Sequence, residues 1–373
     1  MIRLANKELC SGCTACASKC PHRAISMRRD RLGFAYPEID MAACTDCGIC
    51  EAVCPFQGHA HRNSVIEVYA VRHKDMKQLA ASQSGAAFVA LSDVILARGG
   101  VVYGAGYGEG FKVVHGRAVS PSERDAFRGS KYVQSELGTV FAQVKADLLD
   151  GKHVLFSGTP CQVAGLKSYL HSGGKLYENL YLVDLVCHGV ASPYVWRDYL
   201  WYLERAYKHD IVAVNFRDKI FGWHSHKESF KFDDGSIIYP RFIVYKDCFL
   251  RPACGNCPYA NLNHPSDVTI GDFWGIEQTD LRAEDDNKGH SILLCNTPQG
   301  VKLFDSIKEQ VHFHPLAMST CLQPNLCEPT RIPRSHLLFE KLYRRSWFVA
   351  FLKVRNFPSC LKRFVKHVKQ RLL

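Results

Sequence analysis

Two cysteine runs near the N-terminus have the spacing that holds iron–sulfur clusters. Each run reads Cys-x2-Cys-x2-Cys-x3-Cys-Pro, over residues 10–21 and 44–55. In two-cluster domains with this spacing, the first three cysteines of a run ligate one 4Fe–4S cluster, and the fourth ligates the cluster of the other run. The first cluster is therefore assigned to Cys10, Cys13, Cys16 and Cys54, and the second to Cys44, Cys47, Cys50 and Cys20. Because each cluster passes one electron at a time, two neighbouring clusters predict a path for single electrons.

Zinc sites and disulfides are the alternative uses of closely spaced cysteines. Zinc sites use pairs of cysteines rather than runs of four that end in Cys-Pro. Disulfide frameworks are typical of short secreted chains, whereas this chain has 373 residues and begins with Met1–Ala5, which leads into the cluster ligands without a signal peptide. Since clusters need reduced thiolates, we expect a cytoplasmic protein. The sequence has no long uncharged apolar run that would predict a transmembrane helix.

Four further cysteines could ligate a third 4Fe–4S cluster. Cys161 and Cys187 each follow a predicted strand, and the carboxyl ends of strands line the ligand crevice of an open α/β sheet. Cys254 and Cys257 form a Cys-x2-Cys loop that would supply two more thiolates. Buried cysteines are also common as small apolar side chains, and redox dithiols and half zinc sites share the Cys-x2-Cys spacing. Spacing alone leaves these alternatives open, with Cys248 as a reserve fourth ligand.

Alternating strand and helix patterns predict the fold of the chain that follows the cysteine runs. The predicted strands cover residues 65–71, 101–105, 154–157 and 181–186, and the predicted helices cover residues 86–97, 139–149 and 161–170. Tight glycine turns between these segments predict a parallel α/β core. Residues 211–245 read instead as antiparallel strands with a hairpin turn at residues 233–236.

The positive charge of the chain is concentrated at its C-terminus. The net charge is +11, and the stretch from Lys341 onward has ten Lys and Arg residues and no Asp or Glu. The nearly neutral body argues against a nucleic-acid partner. Apolar residues recur at helical spacing within the basic stretch, at Leu361, Phe364, Val365, Val368 and Leu372. Such a helix could pack on its own domain, lie on anionic lipid at the inner membrane face, or bind an acidic protein.

Several segments resemble the coenzyme F420 hydrogenase/dehydrogenase beta-subunit family. They are residues 127–135, 157–166, 184–193 and 266–275, which follow the family's order within a resemblance that covers roughly residues 1–300. The resemblance implies an FAD in the α/β domain and a nearby 4Fe–4S cluster. It also implies exchange of two electrons between the flavin and a deazaflavin or similar acceptor. These implications favour the third cluster.

The resemblance also implies which residues contact the flavin. They are Ser84, Gly85, Gly129, Ser130, Lys131, Tyr132, Ser157, Gly158 and Thr159. Ser84 and Gly85 precede a predicted helix, whose backbone N–H groups could meet a phosphate. Lys131 offers a charge for phosphate or for flavin N1. Without the resemblance, each of these short segments would read as an ordinary turn.

Two residues are candidates for catalysis, and two others for shaping a substrate pocket. Lys131 is one catalytic candidate, and His188, beside Cys187, is the other because its charge changes near neutral pH. A surface histidine is the alternative for His188. Asp272 and Trp274 could shape a substrate pocket or could form a turn with a core tryptophan.

Together these interpretations predict a multidomain iron–sulfur flavoprotein. We expect a two-cluster bacterial-type ferredoxin domain at residues 1–60, a flavin- and cluster-binding α/β domain with an antiparallel insertion at residues 65–330, and a basic amphipathic tail at residues 331–373. The predicted activity is electron transfer through FAD, between a carrier such as ferredoxin and a two-electron acceptor, either coenzyme F420 or another small molecule. A non-catalytic electron-delivery subunit of a hydrogenase or dehydrogenase, and an auxiliary reductase in surface-polysaccharide assembly, are the alternatives.

Overall fold

A computed structural model describes residues 2, 6–56, 62–171, 177–240 and 247–355, with side chains to residue 350. The strands are β1 (Ile25–Arg29), β2 (Ala35–Ile39), β3 (Glu67–His73), β4 (Val101–Tyr107), β5 (Val113–Ala118), β6 (Val154–Gly158), β7 (Leu180–Leu185), β8 (Ile211–Asn215), β9 (Ser229–Phe232), β10 (Ile237–Ile238), β11 (Val268–Asp272), β12 (Ser291–Cys295) and β13 (Val311–Pro315). The helices are α1 (Ala15–Lys19), α2 (Ile49–Ala52), α3 (Met76–Ala81), α4 (Ala87–Ala97), α5 (Pro121–Arg124), α6 (Val140–Leu149), α7 (Pro160–His171), α8 (Pro193–Tyr207), α9 (Pro298–Asp305), α10 (Ser335–Leu342) and α11 (Arg345–Arg355).

The N-terminal unit is built from two short helices on either side of a hairpin. Strands β1 and β2 pair antiparallel, with Ile25 opposite Ile39. Helices α1 and α2 each begin inside a cysteine run and contact each other. The predicted hairpin between the runs is therefore present, and it holds the two runs side by side.

An eight-stranded mixed sheet forms the centre of the second unit. Its strand order is β13-β3-β12-β11-β7-β6-β4-β5. Strands β4, β6, β7 and β11 are parallel, whereas β5, β12, β3 and β13 pair antiparallel with their neighbours. The predicted parallel core is thus correct for the segments that form β4, β6 and β7, whereas the predicted strand at residues 65–71 is β3, which pairs antiparallel with both neighbours. A short connection joins β4 to β5, which permits only an antiparallel hairpin, and the later strands enter beside β11 and β3.

Helices cover both faces of this sheet. Along β6, Leu155 packs with α4 and α9, whereas Phe156 packs with α6 and α7. Successive side chains of a strand point to opposite faces, so the apolar run of β6 supplies both cores. Every residue of β6 is buried. The central strands are therefore fixed in position, and so are the residues that follow them.

The predicted antiparallel insertion is a three-stranded sheet of β10, β9 and β8. Its hairpin turn lies at residues 233–236, as predicted, and residues 241–246 lie outside the described ranges. The inner face packs against α8 through Trp196, Phe216 and Phe230. The insertion and α8 therefore share one apolar cluster.

The first part of the C-terminal segment packs on that same cluster. Phe339, Tyr343 and Phe348 are buried in it. The buried Asp198 carboxylate accepts hydrogen bonds from Tyr343 Oη at 2.6 Å and Arg345 Nε at 2.8 Å. The amphipathic pattern at residues 361–372 lies outside the described ranges. Among the described helices, none is long and apolar enough to span a bilayer.

Candidate cluster and flavin sites

The first N-terminal cavity is lined by the four cysteines predicted to hold the first cluster. Cys10, Cys13, Cys16 and Cys54 surround a small cavity of about 20 Å³ together with apolar side chains such as Met27. Burial raises the pKa of the Cys16 thiol to about 12. A buried thiolate set of this kind is stable only beside a cation, and cluster iron supplies one. The residues present therefore fit a 4Fe–4S cluster.

The second N-terminal cavity has the same size and the second cysteine set. Cys20, Cys44, Cys47 and Cys50 line a cavity of about 20 Å³. Cys47 is exposed, whereas Cys13 and Cys16 of the first cavity are buried. The fourth cysteine of each run thus lines the cavity of the other run, as the spacing predicts. Among the eight cysteines that line the two cavities, Cys47 is the exposed one.

The four cysteines predicted to ligate a third cluster also lie close together. Cys161 lies in the first turn of α7, Cys187 follows β7, and a short 3-10 helix at Pro252–Asn256 carries Cys254 and precedes Cys257. Burial, together with the neighbouring Cys161, raises the pKa of Cys254 to about 11 and that of Cys257 to about 12. We call these four residues the third cysteine group. Cys248, the reserve ligand, packs instead in the apolar cluster around Trp196.

The spacing of the third cysteine group favours a cubane cluster over zinc. Four tetrahedral Zn–S bonds of about 2.3 Å would place the sulfur atoms about 3.8 Å apart. Among the described residues, no three of these sulfur atoms lie within 4.8 Å of one another. The group is therefore wider than a zinc site, as the larger four-iron cube requires.

The first cavity and the third cysteine group meet at one turn of α7. A Cβ atom added to Gly165 would lie 2.9 Å from the Cys13 sulfur, so this glycine admits Cys13 against the helix. Cys161 lies one turn earlier on the same helix. The Ser11 side chain also lies beside the Cys161 sulfur. Direct contacts thus join the two thiol sets.

A cleft of about 810 Å³ opens between α3, the 125–131 loop and the 214–220 segment. Its charged lining consists of Arg128, Lys131, Arg217, Lys219 and Lys288, with Asp125 and Asp218. Five cations against two carboxylates give the cleft a positive potential, which favours an anionic ligand. Its volume lies in the upper part of the range of about 300–1,000 Å³ that ligand pockets occupy, and it suits an extended molecule such as a dinucleotide.

Three of the residues assigned to flavin by resemblance line this cleft. They are Gly129, Ser130 and Lys131. Burial lowers the pKa of Lys131 to about 7, and its Nζ donates to the Arg128 carbonyl at 2.6 Å. Tyr132 follows them and packs edge-on, at 5.6 Å, against Phe216, which lines the cleft.

Ser84 and Gly85 do not line the cleft, and their contact with the flavin stays a prediction. The Ser84 hydroxyl donates to the His290 carbonyl at 2.6 Å, and the Gly85 amide donates to Ser291 Oγ at 2.9 Å. A Cβ atom on Gly85 would lie 2.2 Å from the Val71 carbonyl oxygen. The turn is therefore packed against the sheet, and the preceding residues 82–83 face the cleft instead.

Ser157, Gly158 and Thr159 also lie away from the cleft lining and beside the third cysteine group. Thr159 Oγ1 lies 3.2 Å from the Cys161 sulfur. The Ser157 carbonyl lies 3.1 Å from His115 Nε2. This segment therefore supports the cysteine group, and its direct contact with the flavin stays a prediction.

His188 does not line the cleft, and its role beside the flavin stays a prediction. Its Nε2 lies 3.0 Å from Asp247 Oδ1 and its Nδ1 lies 3.2 Å from Asn325 Oδ1. The side chain is 39% exposed. These contacts describe a surface histidine, the alternative that the sequence left open.

Asp272 and Trp274 act on the cleft through Arg217. Asp272 pairs with the buried Arg217 and accepts from Trp223 Nε1 at 2.9 Å. Trp274 stacks on Trp223 at 5.0 Å, and the Arg217 guanidinium lies 5.1 Å from the Trp274 ring. Sequence analysis missed Arg217 and Lys219, because they lie in the insertion and no motif surrounds them.

A single extended segment connects the cleft with the third cysteine group. After Lys131, the Tyr132 carbonyl accepts from the Ala191 amide at 2.8 Å. Farther along, Ser135 Oγ accepts from Gln162 Nε2 at 2.8 Å, and Gln162 directly follows Cys161. The cleft, the Cys187 loop and the Cys161 turn are therefore joined by short hydrogen-bonded contacts.

Comparison with known proteins identifies both units. Residues 9–57 match the sequence model of the 4Fe–4S dicluster domain. Residues 151–318 match that of the C terminus of the coenzyme F420 hydrogenase/dehydrogenase beta subunit. The chain therefore combines an N-terminal 4Fe–4S dicluster domain with a C-terminal domain of this beta-subunit family. The predicted resemblance and the two-cluster N-terminal domain are thereby confirmed.

Individual relatives match smaller parts of the chain. A trichloroethene reductive dehalogenase of Dehalococcoides mccartyi is 39% identical over 59 residues, which are 13% of this chain and 11% of that protein. An uncharacterized ferredoxin of Methanocaldococcus jannaschii is 39% identical over 50 residues, which are 13% of this chain and 74% of that protein. A chain of the F420-reducing [NiFe] hydrogenase complex from Methanosarcina barkeri aligns at 15% identity over 80% of this chain and 94% of that chain, with a TM-score of 0.49. The present chain spans about a tenth of the dehalogenase.

Proposed function

We propose that this chain is an iron–sulfur flavoprotein that passes electrons between a low-potential one-electron carrier and a two-electron acceptor. The observation that carries the proposal is the series of direct contacts from the first cavity through Gly165 to the third cysteine group, and from there along residues 131–135 to the cationic cleft. A flavin supplies the exchange between one-electron and two-electron chemistry. The beta-subunit family suggests such a flavin.

The roles of the residues follow from their positions. Cys161, Cys187, Cys254 and Cys257 would ligate the third 4Fe–4S cluster. Gly129 and Ser130 would allow close approach of the FAD, and Lys131, Arg217 and Lys219 would neutralise its diphosphate. We assign the acceptor to an anionic small molecule, with coenzyme F420 as one such molecule, because the cleft is cationic.

The exposed second cavity supports a protein partner at the other end of this path. Cys47 is exposed, whereas Cys50 is buried, so a one-electron carrier could approach the second cluster within a short distance. A ferredoxin or a subunit of a hydrogenase or dehydrogenase would fit. If catalysis resides in such a partner, the isolated, flavin-loaded chain would reduce no small-molecule acceptor.

Composition is the experiment that tests the proposal. Protein purified without oxygen is expected to hold about 12 iron and 12 acid-labile sulfide, from three four-iron cubes, with one FAD. The C161S variant is expected to lose about four iron while it keeps the N-terminal clusters. The C248S variant is the matched control, and its iron content should equal that of the wild type. About 8 iron and no flavin in the wild type would overturn the proposal.

A second proposal concerns the surface of the C-terminal segment. On α10, Leu337 is 71% exposed and Leu338 is 48% exposed, and Trp347 of α11 is 40% exposed. Lys341 and Arg344 lie among them and are also exposed. Exposed large apolar side chains among cations are typical of a helix that lies on anionic lipid. We propose that this surface contacts such a membrane, and that the basic stretch beyond the described residues adds to the attraction.

A further inference from the structure

Arg251 is a buried cation at the junction of the two units. It directly precedes the 3-10 helix Pro252–Asn256, and its backbone amide donates to the Val190 carbonyl at 2.9 Å. Its carbonyl accepts from the Cys254 amide, also at 2.9 Å. The backbone of Arg251 is thus tied to two loops of the third cysteine group. Its side chain is only 1% exposed.

The Arg251 guanidinium extends into the ferredoxin unit. Its Nε donates to the Cys10 carbonyl at 2.6 Å, and its Nη2 donates to the Ala35 carbonyl at 2.9 Å and lies 3.6 Å from the Cys10 sulfur. Its Nη1 donates to Gln134 Oε1 at 2.8 Å, and the Gln134 amide donates to the Ser11 carbonyl at 2.8 Å. The same guanidinium lies 4.3 Å from the Tyr36 ring.

The charge of Arg251 has no carboxylate partner among the described residues. Its hydrogen bonds go to two carbonyls, one side-chain amide and one thiol. A buried cation without an anion is unfavourable. The groups that face it are cysteine sulfurs, which would be thiolates in a cluster: Cys10 by direct contact, and Cys161 and Cys254 within range of its charge.

We propose that Arg251 is a positioning residue that joins the first cluster to the third and raises the reduction potentials of both relative to the second cluster. This inference rests on the proposed function, because it requires the third cluster. Hydrogen bonds and positive charge near the cluster sulfurs favour the reduced, more negative state. The second cavity has no Arg251 contact within the described ranges. Arg251 would thus make the inner clusters better electron acceptors than the exposed one.

The test is a redox titration of the anaerobically purified protein, monitored by electron paramagnetic resonance. R251M removes the charge and is expected to lower two of the three midpoint potentials by at least 59 mV, a tenfold change for a one-electron couple, while the third stays unchanged. Q134E keeps Arg251 and places a carboxylate beside it, so it should lower the same two potentials if R251M fails to assemble. Arg124 is also 1% exposed, but it pairs with Asp93 and contacts no cysteine in the described part of the chain, so R124M is the control with unchanged potentials.

Each outcome separates this inference from the function on which it rests. Full iron content with unmoved potentials in R251M or Q134E would overturn the role of Arg251 and leave the proposed function intact. Equal shifts of all three potentials would also overturn it, because a local charge cannot act equally on the distant second cluster. Fewer than about 12 iron in the wild type would instead contradict the proposed function.

Discussion

Lys131 is the residue whose substitution tests most directly whether the cleft binds an anionic ligand. Within the described ranges its Nζ donates only to backbone carbonyls, including Arg128 at 2.6 Å, and burial lowers its pKa from 10.5 to about 7. An anionic ligand would restore the charged form. K131Q is expected to weaken FAD binding by about 10- to 100-fold, since a hydrogen bond to a charged group contributes about 1.5–3 kcal/mol. Quenching of flavin fluorescence during titration of the flavin-free protein measures this affinity.

The pH dependence of FAD binding distinguishes an effect of the Lys131 charge from an effect of the shape of its side chain. In the wild type, FAD affinity should fall as pH rises above about 7, because the free protein then loses the lysine charge. The K131Q variant should lack this dependence of FAD affinity on pH. Lys302 on α9 is exposed, and the K302Q variant should retain the dependence. Since the folded state binds fewer protons than the unfolded state between pH 7 and 10.5, the free energy of unfolding of the flavin-free protein should rise over that range. If FAD affinity changed with pH equally in the wild type and in K131Q, a charged Lys131 would be excluded from the binding site.

Residues differ in how far the sequence can predict their roles. The eight N-terminal cysteines follow a local spacing, so sequence alone predicts which of them line each cavity. Ser84 and Gly85 occupy a turn that the sequence locates, but the packing of Gly85 against Val71 decides which way the turn faces. Arg217 reaches the cleft only because the insertion folds over the sheet. Its role depends on tertiary contacts that no local pattern contains.

Helix α7 is the element that brings the two units into contact. Its Gly165 accepts Cys13, and an added Cβ would lie 2.8 Å from the Cys13 Cβ. G165A is therefore expected to destabilise the protein by about 1–3 kcal/mol through overpacking and to reduce the occupancy of the first cluster. Thermal unfolding and iron analysis measure the two effects. S168A, farther along the same helix, should change neither, and wild-type behaviour of G165A would show that the contact is not tight.

The central sheet shows why elements are easier to predict than their arrangement. Local apolar patterns and glycine turns predict the strands β4, β6 and β7 and the helices between them. The same patterns do not predict the order of β3, β12 and β13, because these strands come from distant parts of the chain. Their apolar runs are compatible with either direction when both faces are covered. Pairing with a particular neighbour then decides the direction.

At the scale of the whole molecule, the proposed sites for a protein carrier and for a small molecule lie at the two ends of one series of contacts. The exposed Cys47 lies in the second cavity, the buried Cys13 in the first, and the third cysteine group lies between the first cavity and the cleft. A protein carrier would thus meet one end, and a small anionic molecule would meet the other. The C-terminal helices pack on the insertion and its apolar cluster, so they offer a further surface.

Binding to lipid vesicles tests that C-terminal surface at the scale of the whole chain. Each Lys or Arg near an anionic membrane contributes about 1 kcal/mol, so the full chain should sediment with vesicles that contain phosphatidylserine and should be released by salt. The double variant L337S and L338S should bind more weakly, because it loses the exposed apolar side chains that would enter the interface. V212S, at a position 52% exposed on β8, is the matched control and should bind like the wild type. Equal binding to uncharged phosphatidylcholine vesicles, or equal binding of the double variant, would contradict a lipid role and would favour an acidic protein partner.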